Sequence, residues 1–245
     1  ETIGGSSFDR GDSIYCEVTP INELIVGSLL EAGAAMTSAA IVVGNSLPQI
    51  DHALIEPIGA TTTDTLGVTP WGWTDGDGDA AAYQYQWWIE DPAGNVVDGG
   101  TAQTLAPGET LRGDTITVEV TPTDGIGSGS MVLAGIDVDS DGVPDVFELV
   151  IANTPPGAPV VSAIPGSPQS SDDLVCSIAT ESVDPDVTDG VDSLSYDFQW
   201  LDDSGPSTYV LLAGTASSTL TVPSSATSQG QSWTCEITPS DSEGA

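Results

Sequence analysis

The sequence predicts an all-β fold built of tandem sandwiches, about two whole units plus a partial one, and three observations carry that expectation. A ten-residue stretch recurs as "GDSIYCEVTP" at 11–20, "GDTITVEVTP" at 113–122 and "GQSWTCEITP" at 230–239. Self-similarity at a long interval marks a repeat architecture. Within that stretch apolar residues alternate, Ile116, Val118 and Val120 in one copy and Trp233, Cys235 and Ile237 in another. That is the period of a strand with one buried face. Turn residues then punctuate the chain about every eight to twelve positions, a spacing typical of all-β sandwiches. No segment carries a convincing capped, amphipathic helical pattern.

The elements follow in chain order. Residues 1–46 contain the first copy of the repeated stretch and leave through "VVGNSLP" at 42–48. The apolar run Leu24–Gly44 is long enough to cross a bilayer. It holds Glu31 and several Gly, Ser and Thr residues, and no basic anchors flank it, so no membrane span is expected. A long hairpin is the other way to read the run. Residues 47–152 hold "YQYQW" at 83–87, the second copy of the repeat, and the exit "VIANTPP" at 150–156. Residues 153–245 hold "DLVCSI", then "YDFQW" at 196–200, then the third copy.

In this last unit Cys176, Trp200 and Cys235 follow one another in the order expected for strands B, C and F of a sandwich. The chain resembles immunoglobulin-like repeats on these residues. The resemblance implies that Cys176 and Cys235 bridge the two sheets with Trp200 packed on the bridge. The middle unit places Val68 and Val118 at the matching positions, with Trp87 as the counterpart of Trp200, so an apolar pair is expected in place of the disulfide. Cys16 aligns with Cys235 and is expected on a strand F. Residues 1–46 thus read as strands F and G of a repeat, 47–152 as a complete one, and 153–245 as one without its last strand. A window of a longer tandem array explains this phase; completion of the sandwich by a neighbouring subunit's strand is the alternative. The "D-x-D-G-D" turns and "N-T-P-P" junction resemble secreted bacterial repeat proteins with Ig-like, cadherin-like or PKD-like units. That resemblance implies a secreted or cell-surface, extracellular location.

Charge sets further bounds. The chain has 37 acidic and 2 basic residues, Arg10 and Arg112, for a net charge of −35. Nucleic acid is excluded as a partner, because binding it needs Lys and Arg. Divalent cations or a saline medium are the expected counter-charges. Free calcium inside cells is too scarce to fill ordinary loops, which again places the chain outside.

Residues 137–148, "DVDSDGVPDVFE", match a calcium loop slot by slot. Asp137, Asp139 and Asp141 take positions 1, 3 and 5, Gly142 takes the turn, and Val143 offers its carbonyl. Asp145 and Glu148 take positions 9 and 12. The stretch resembles the loops of thrombospondin type 3, dockerin and EF-hand proteins, which implies bound calcium, although "VFELVIA" after it is strand-like rather than helical. An acidic surface turn is the simpler alternative. "TDGDGDAAAY" offers Asp75, Asp77 and Asp79, and "DPDVTDGVD" offers Asp184, Asp186, Asp189 and Asp192; neither has a position-12 Glu. Asp124 and Asp241, each just past a strand F, are expected to make Asx turns or to join these sites.

No enzyme is expected. With His52 as the single histidine there is neither a His-rich zinc site nor a Ser-His-Asp triad. Trp71, Trp73 and Trp88 are candidates for stacking on a ligand, with rim or inter-unit packing as the alternative. Two functions follow as expectations. One is an extracellular fibre, stalk or surface filament, stiffened by calcium, whose partners are neighbouring repeats or copies of itself. The other is an adhesin or carbohydrate-binding module whose partner is a cell-surface glycan.

Overall fold

The structure, a computed structural model, describes residues 2–21, 32–186, 193–203, 205–211 and 218–242. The first segment is a long antiparallel hairpin. Strand β1 (Ser13–Ile14) pairs with β4 (Ile41–Val42), and β2 (Glu17–Val18) pairs with β3 (Met36–Thr37). Its apolar side chains, among them Tyr15, Val18 and Met36, are exposed. The run Leu24–Gly44 falls partly outside the described residues, and its described end forms the returning arm of this hairpin. Among the described residues no helix is long and apolar enough to cross a membrane.

The middle unit is a two-layer sandwich. One sheet joins β5 (His52–Glu56), β6 (Leu66–Trp71) and β9 (Thr104–Leu105) in the order β5-β6-β9. The other joins β7 (Ala82–Glu90), β8 (Val96–Gly100), β10 (Thr115–Thr123), β11 (Val132–Leu133) and β12 (Leu149–Val150). Here β7 lies between β8 and β10, and both β11 and β12 pair with β10. Strand β10 shows why the alternation in the sequence mattered: Ile116, Val118 and Val120 are fully buried while the Thr and Glu residues between them turn outward. Trp87 fills the centre of the core, and its Nε1–H donates to the Ala102 carbonyl at 2.8 Å.

The last unit repeats the plan. Strands β13 (Val160–Ile164), β14 (Leu174–Thr180) and β17 (Thr219–Val222) form one sheet, with β14 in the middle. Strands β15 (Ser195–Asp202), β16 (Gly205–Leu211) and β18 (Thr234–Ser240) form the other, with β15 in the middle. Cys176 and Cys235 are joined across the sheets, Cα to Cα 6.0 Å, closing a separation of 59 residues. Trp200 is 1% exposed in the same core, and its Nε1–H donates to the Leu220 carbonyl at 3.1 Å. The middle and last units are therefore both immunoglobulin-like β-sandwiches. Val68 and Val118 occupy the middle unit's core where the last unit has its disulfide.

Candidate functional site

Two kinds of carboxylate site emerge. The first is the loop at 137–148, which interrupts the final strand of the middle unit. The chain leaves after β11, closes the neck of the loop with an Ile136–Val146 bridge, and rejoins β10 as β12. Asp137 accepts hydrogen bonds from the Asp141 N–H at 3.1 Å and the Gly142 N–H at 2.7 Å. Asp145 accepts from the Val138 N–H at 2.8 Å, folding the loop back on itself. Gly142, at φ +89°, supplies the left-handed turn that lets the carboxylates converge. One oxygen each from Asp137, Asp139 and Asp145 lies within 4.8 Å of the others. Asp141 is instead turned to the Val143 N–H at 2.8 Å. Glu148 is exposed beside β12 and is not part of the cluster.

The second kind lies at the junctions between units, and it is made twice. At the first junction Asp75 accepts from the Asp77 N–H at 2.7 Å, Asp77 from the Ser46 N–H at 2.7 Å, and Asp124 from Asn45 Nδ2–H at 2.7 Å. At the second, Asp184 accepts from the Asp186 N–H at 2.8 Å, Asp186 from the Thr154 N–H at 2.7 Å, and Asp241 from Asn153 Nδ2–H at 2.6 Å. The matching exits "GNSLP" and "ANTPP" were the signal for Asn45, Ser46, Asn153 and Thr154 as junction residues. Asp124 also makes an Asx turn to the N–H groups of Ile126 and Gly127. Its bond from Asn45 is the largest cause that lowers its pKa to about 2.

The two junctions differ in burial and in what remains unpaired. Asp75, Asp79 and Asp124 converge within 4.8 Å at partly buried positions. Asp184, Asp186 and Asp241 are 3%, 0% and 6% exposed. Asp186 also accepts from Thr62 Oγ1–H, a hydroxyl of the middle unit, at 3.0 Å. Asp75 Oδ2, Asp184 Oδ2 and Asn153 Oδ1 are buried without a hydrogen bond. Buried acceptors of this kind are costly unless something positive meets them. Asp189 and Asp192 lie outside the described residues.

The tryptophan candidates do not form one platform. Trp71 is exposed at the end of β6, whereas Trp73 packs edge-on against Tyr83 with ring centroids 5.8 Å apart. Trp88 lies on the outer face of the other sheet, half-buried, paired with Thr117 and Asp98. His52 is half-buried on β5 opposite Trp71.

No protein-family model and no curated protein matches the chain. Among solved structures it is similar to the chicken CNTN1 FN1–FN3 domains at 12% identity, over 86% of this chain and 69% of that one, with a TM-score of 0.31. It is also similar to a tetra-tandem repeat in the extending region of a large adhesion protein, at 16% identity over 89% of this chain, with a TM-score of 0.27. This chain spans 49% of that second structure. The class defined by the coordinates themselves is a tandem array of immunoglobulin-like sandwiches with acidic junctions.

Proposed function

We propose that this chain is part of an extracellular structural array, a stalk or filament stiffened by calcium. The observation that carries the reading is the junction made twice from the same residue types with the same hydrogen bonds. A joint that recurs unit after unit sets a fixed angle between units, and a fixed angle extends an array in one direction.

Calcium fits the donor set. It takes six to eight oxygen ligands from carboxylates and amide carbonyls. At the second junction Asp184 Oδ2 and the Asn153 carbonyl oxygen are buried acceptors without a hydrogen bond, with Asp186 and Asp241 beside them in the joint. In the loop, Asp137, Asp139 and Asp145 would hold the ion. At each place a cation would cancel repulsion between carboxylates and fix a segment that otherwise opens. The test is thermal unfolding with millimolar calcium and again with excess chelator, at constant ionic strength. The expected outcome is a calcium-specific rise in Tm, reduced in Asp139→Asn and reduced again in Asp184→Asn. Equal Tm in the two media would remove the calcium part of the reading. The adhesin reading rests on Trp88, whose ring stands on an open sheet face. Glycan capture that survives chelator and is lost in Trp88→Ala would favour it.

A further inference from the structure

The chain's two basic residues occupy one and the same place in successive repeats. Arg10 lies in "DRGDS" just ahead of one copy of the repeated stretch, and Arg112 lies in "LRGDT" just ahead of the next. The turns that carry them are built alike. Asp9 N–H donates to Asp12 Oδ2 at 2.8 Å, and Leu111 N–H donates to Asp114 Oδ2 at 2.8 Å. Gly11 N–H donates to the Val43 carbonyl at 3.0 Å, and Gly113 N–H to the Ile151 carbonyl at 2.9 Å. Gly11 and Gly113 have φ +89° and +84°, a conformation that keeps each turn tight. Each turn is therefore pinned to the strand that runs into a linker, two residues before Asn45 or Asn153.

The described contacts of Arg10 all reach into the first junction. Its guanidinium grips Asp79 through both Nη1 and Nη2, the latter at 3.2 Å. Nη1 also donates to Asn45 Oδ1 at 2.6 Å and stands 3.8 Å from Asp77. One side chain thus ties the turn of one unit, the linker, and the loop before β7 of the next unit. The hydrogen bond to Asp79 raises the pKa of Arg10 above its ordinary value. The amide oxygen of the linker asparagine tells the two junctions apart. In the first junction Asn45 Oδ1 accepts from Arg10, whereas in the second Asn153 Oδ1 is buried without a hydrogen bond.

We propose that Arg10 is the resident cation of the first junction, a covalently attached substitute for a metal ion that holds this joint closed without calcium. A planar guanidinium suits the task because it can meet a carboxylate with two donors and still offer a third. This inference uses the calcium reading only for contrast: the second junction and the loop would respond to the metal, and the first would not.

The experiment is a distance measurement across the first junction in the whole chain. One spin label goes on Cys16, the exposed free cysteine of the hairpin, and a second on a cysteine introduced at exposed Val96 of the middle unit. Electron resonance then gives the distribution of spacings in calcium and in chelator. The wild-type chain is expected to show one narrow distribution, the same in both media. In Arg10→Gln the distribution is expected to broaden severalfold in chelator and to narrow again when calcium is added. Arg10→Lys, which keeps the charge and loses the paired donors, is expected to lie between them. A wild-type distribution that narrows with calcium would overturn the proposal. So would an Arg10→Gln chain that stays narrow in chelator, or one that calcium fails to restore. The unfolding temperature of the wild-type chain in the same two media reports the loop and second junction separately, so failure of the calcium reading is distinguishable from failure of this one.

Discussion

The middle and last sandwiches reach one architecture by different means. Both put a tryptophan at the centre of strand C, Trp87 in one and Trp200 in the other, and both aim the indole N–H at a backbone carbonyl of the opposing sheet region. Beside it the last unit ties its sheets with Cys176–Cys235, while the middle unit packs Val68 against a core that includes Val118. Among the described residues the middle core includes fifteen buried apolar side chains and the last core six. The difference teaches that the same place between the sheets can be filled by a covalent tie or by apolar packing. The tie acts by constraining the unfolded chain, the apolar pair by removing area from water.

Substitutions can break or sharpen that contrast, and the largest effect is expected from Trp87→Ala. It should cost the middle unit about 3–5 kcal/mol, as for other large-to-small core changes. Calorimetry should show the middle unit's transition falling while the last unit's stays in place. Cys176→Ser should cost the last unit about 4 kcal/mol by releasing a loop of this length. The middle unit's transition should not move, and if both fall together the units are not independent in stability. Thr62→Val should cost about 1–3 kcal/mol, because Asp186 loses a donor while remaining buried. That loss should register in the last unit although the substitution lies in the middle one.

The smallest effect concerns acid. Asp124 titrates at about 2 when folded and near the ordinary carboxylate value of 3.8 when released, held down first by Asn45 and next by the Gly127 N–H. A depressed folded pKa gives stability that is present above the unfolded value and lost as pH falls through the folded one. Unfolding followed from pH 5 down to about 2 should therefore show wild type losing stability over the lower end of that window. Asp124→Asn should show a shallower loss there. An unchanged slope would mean that the Asn45 contact does not survive in solution.

Much of the fold was legible because it depends on short-range pattern. Alternation in 115–123 fixed the buried face of β10, and the Cys, Trp, Cys order placed the bridge that the structure contains. The candidate site was legible only in part. Asp137, Asp139 and Asp145 lie close together in the loop. Glu148 does not join them, because its place in a calcium loop assumes a following helix and here the chain goes straight into β12. The partners of the junction acids were harder to see. Thr62 is 124 positions from Asp186 and looks like any loop threonine until the two units meet. In the sequence Arg10 shows only as a scarce charge, since nothing local marks a side chain whose partner lies 69 residues on.

The interrupted strand at the edge of the middle unit also bears on how many such chains can live side by side. Because β11 and β12 are each two residues long and the acidic loop projects between them, that edge never offers a long row of free backbone donors and acceptors. Two chains meeting at this edge would find no long template to zip along, and would meet each other's carboxylates first. The break in the strand thus guards this edge of the middle unit against sheet-to-sheet fusion.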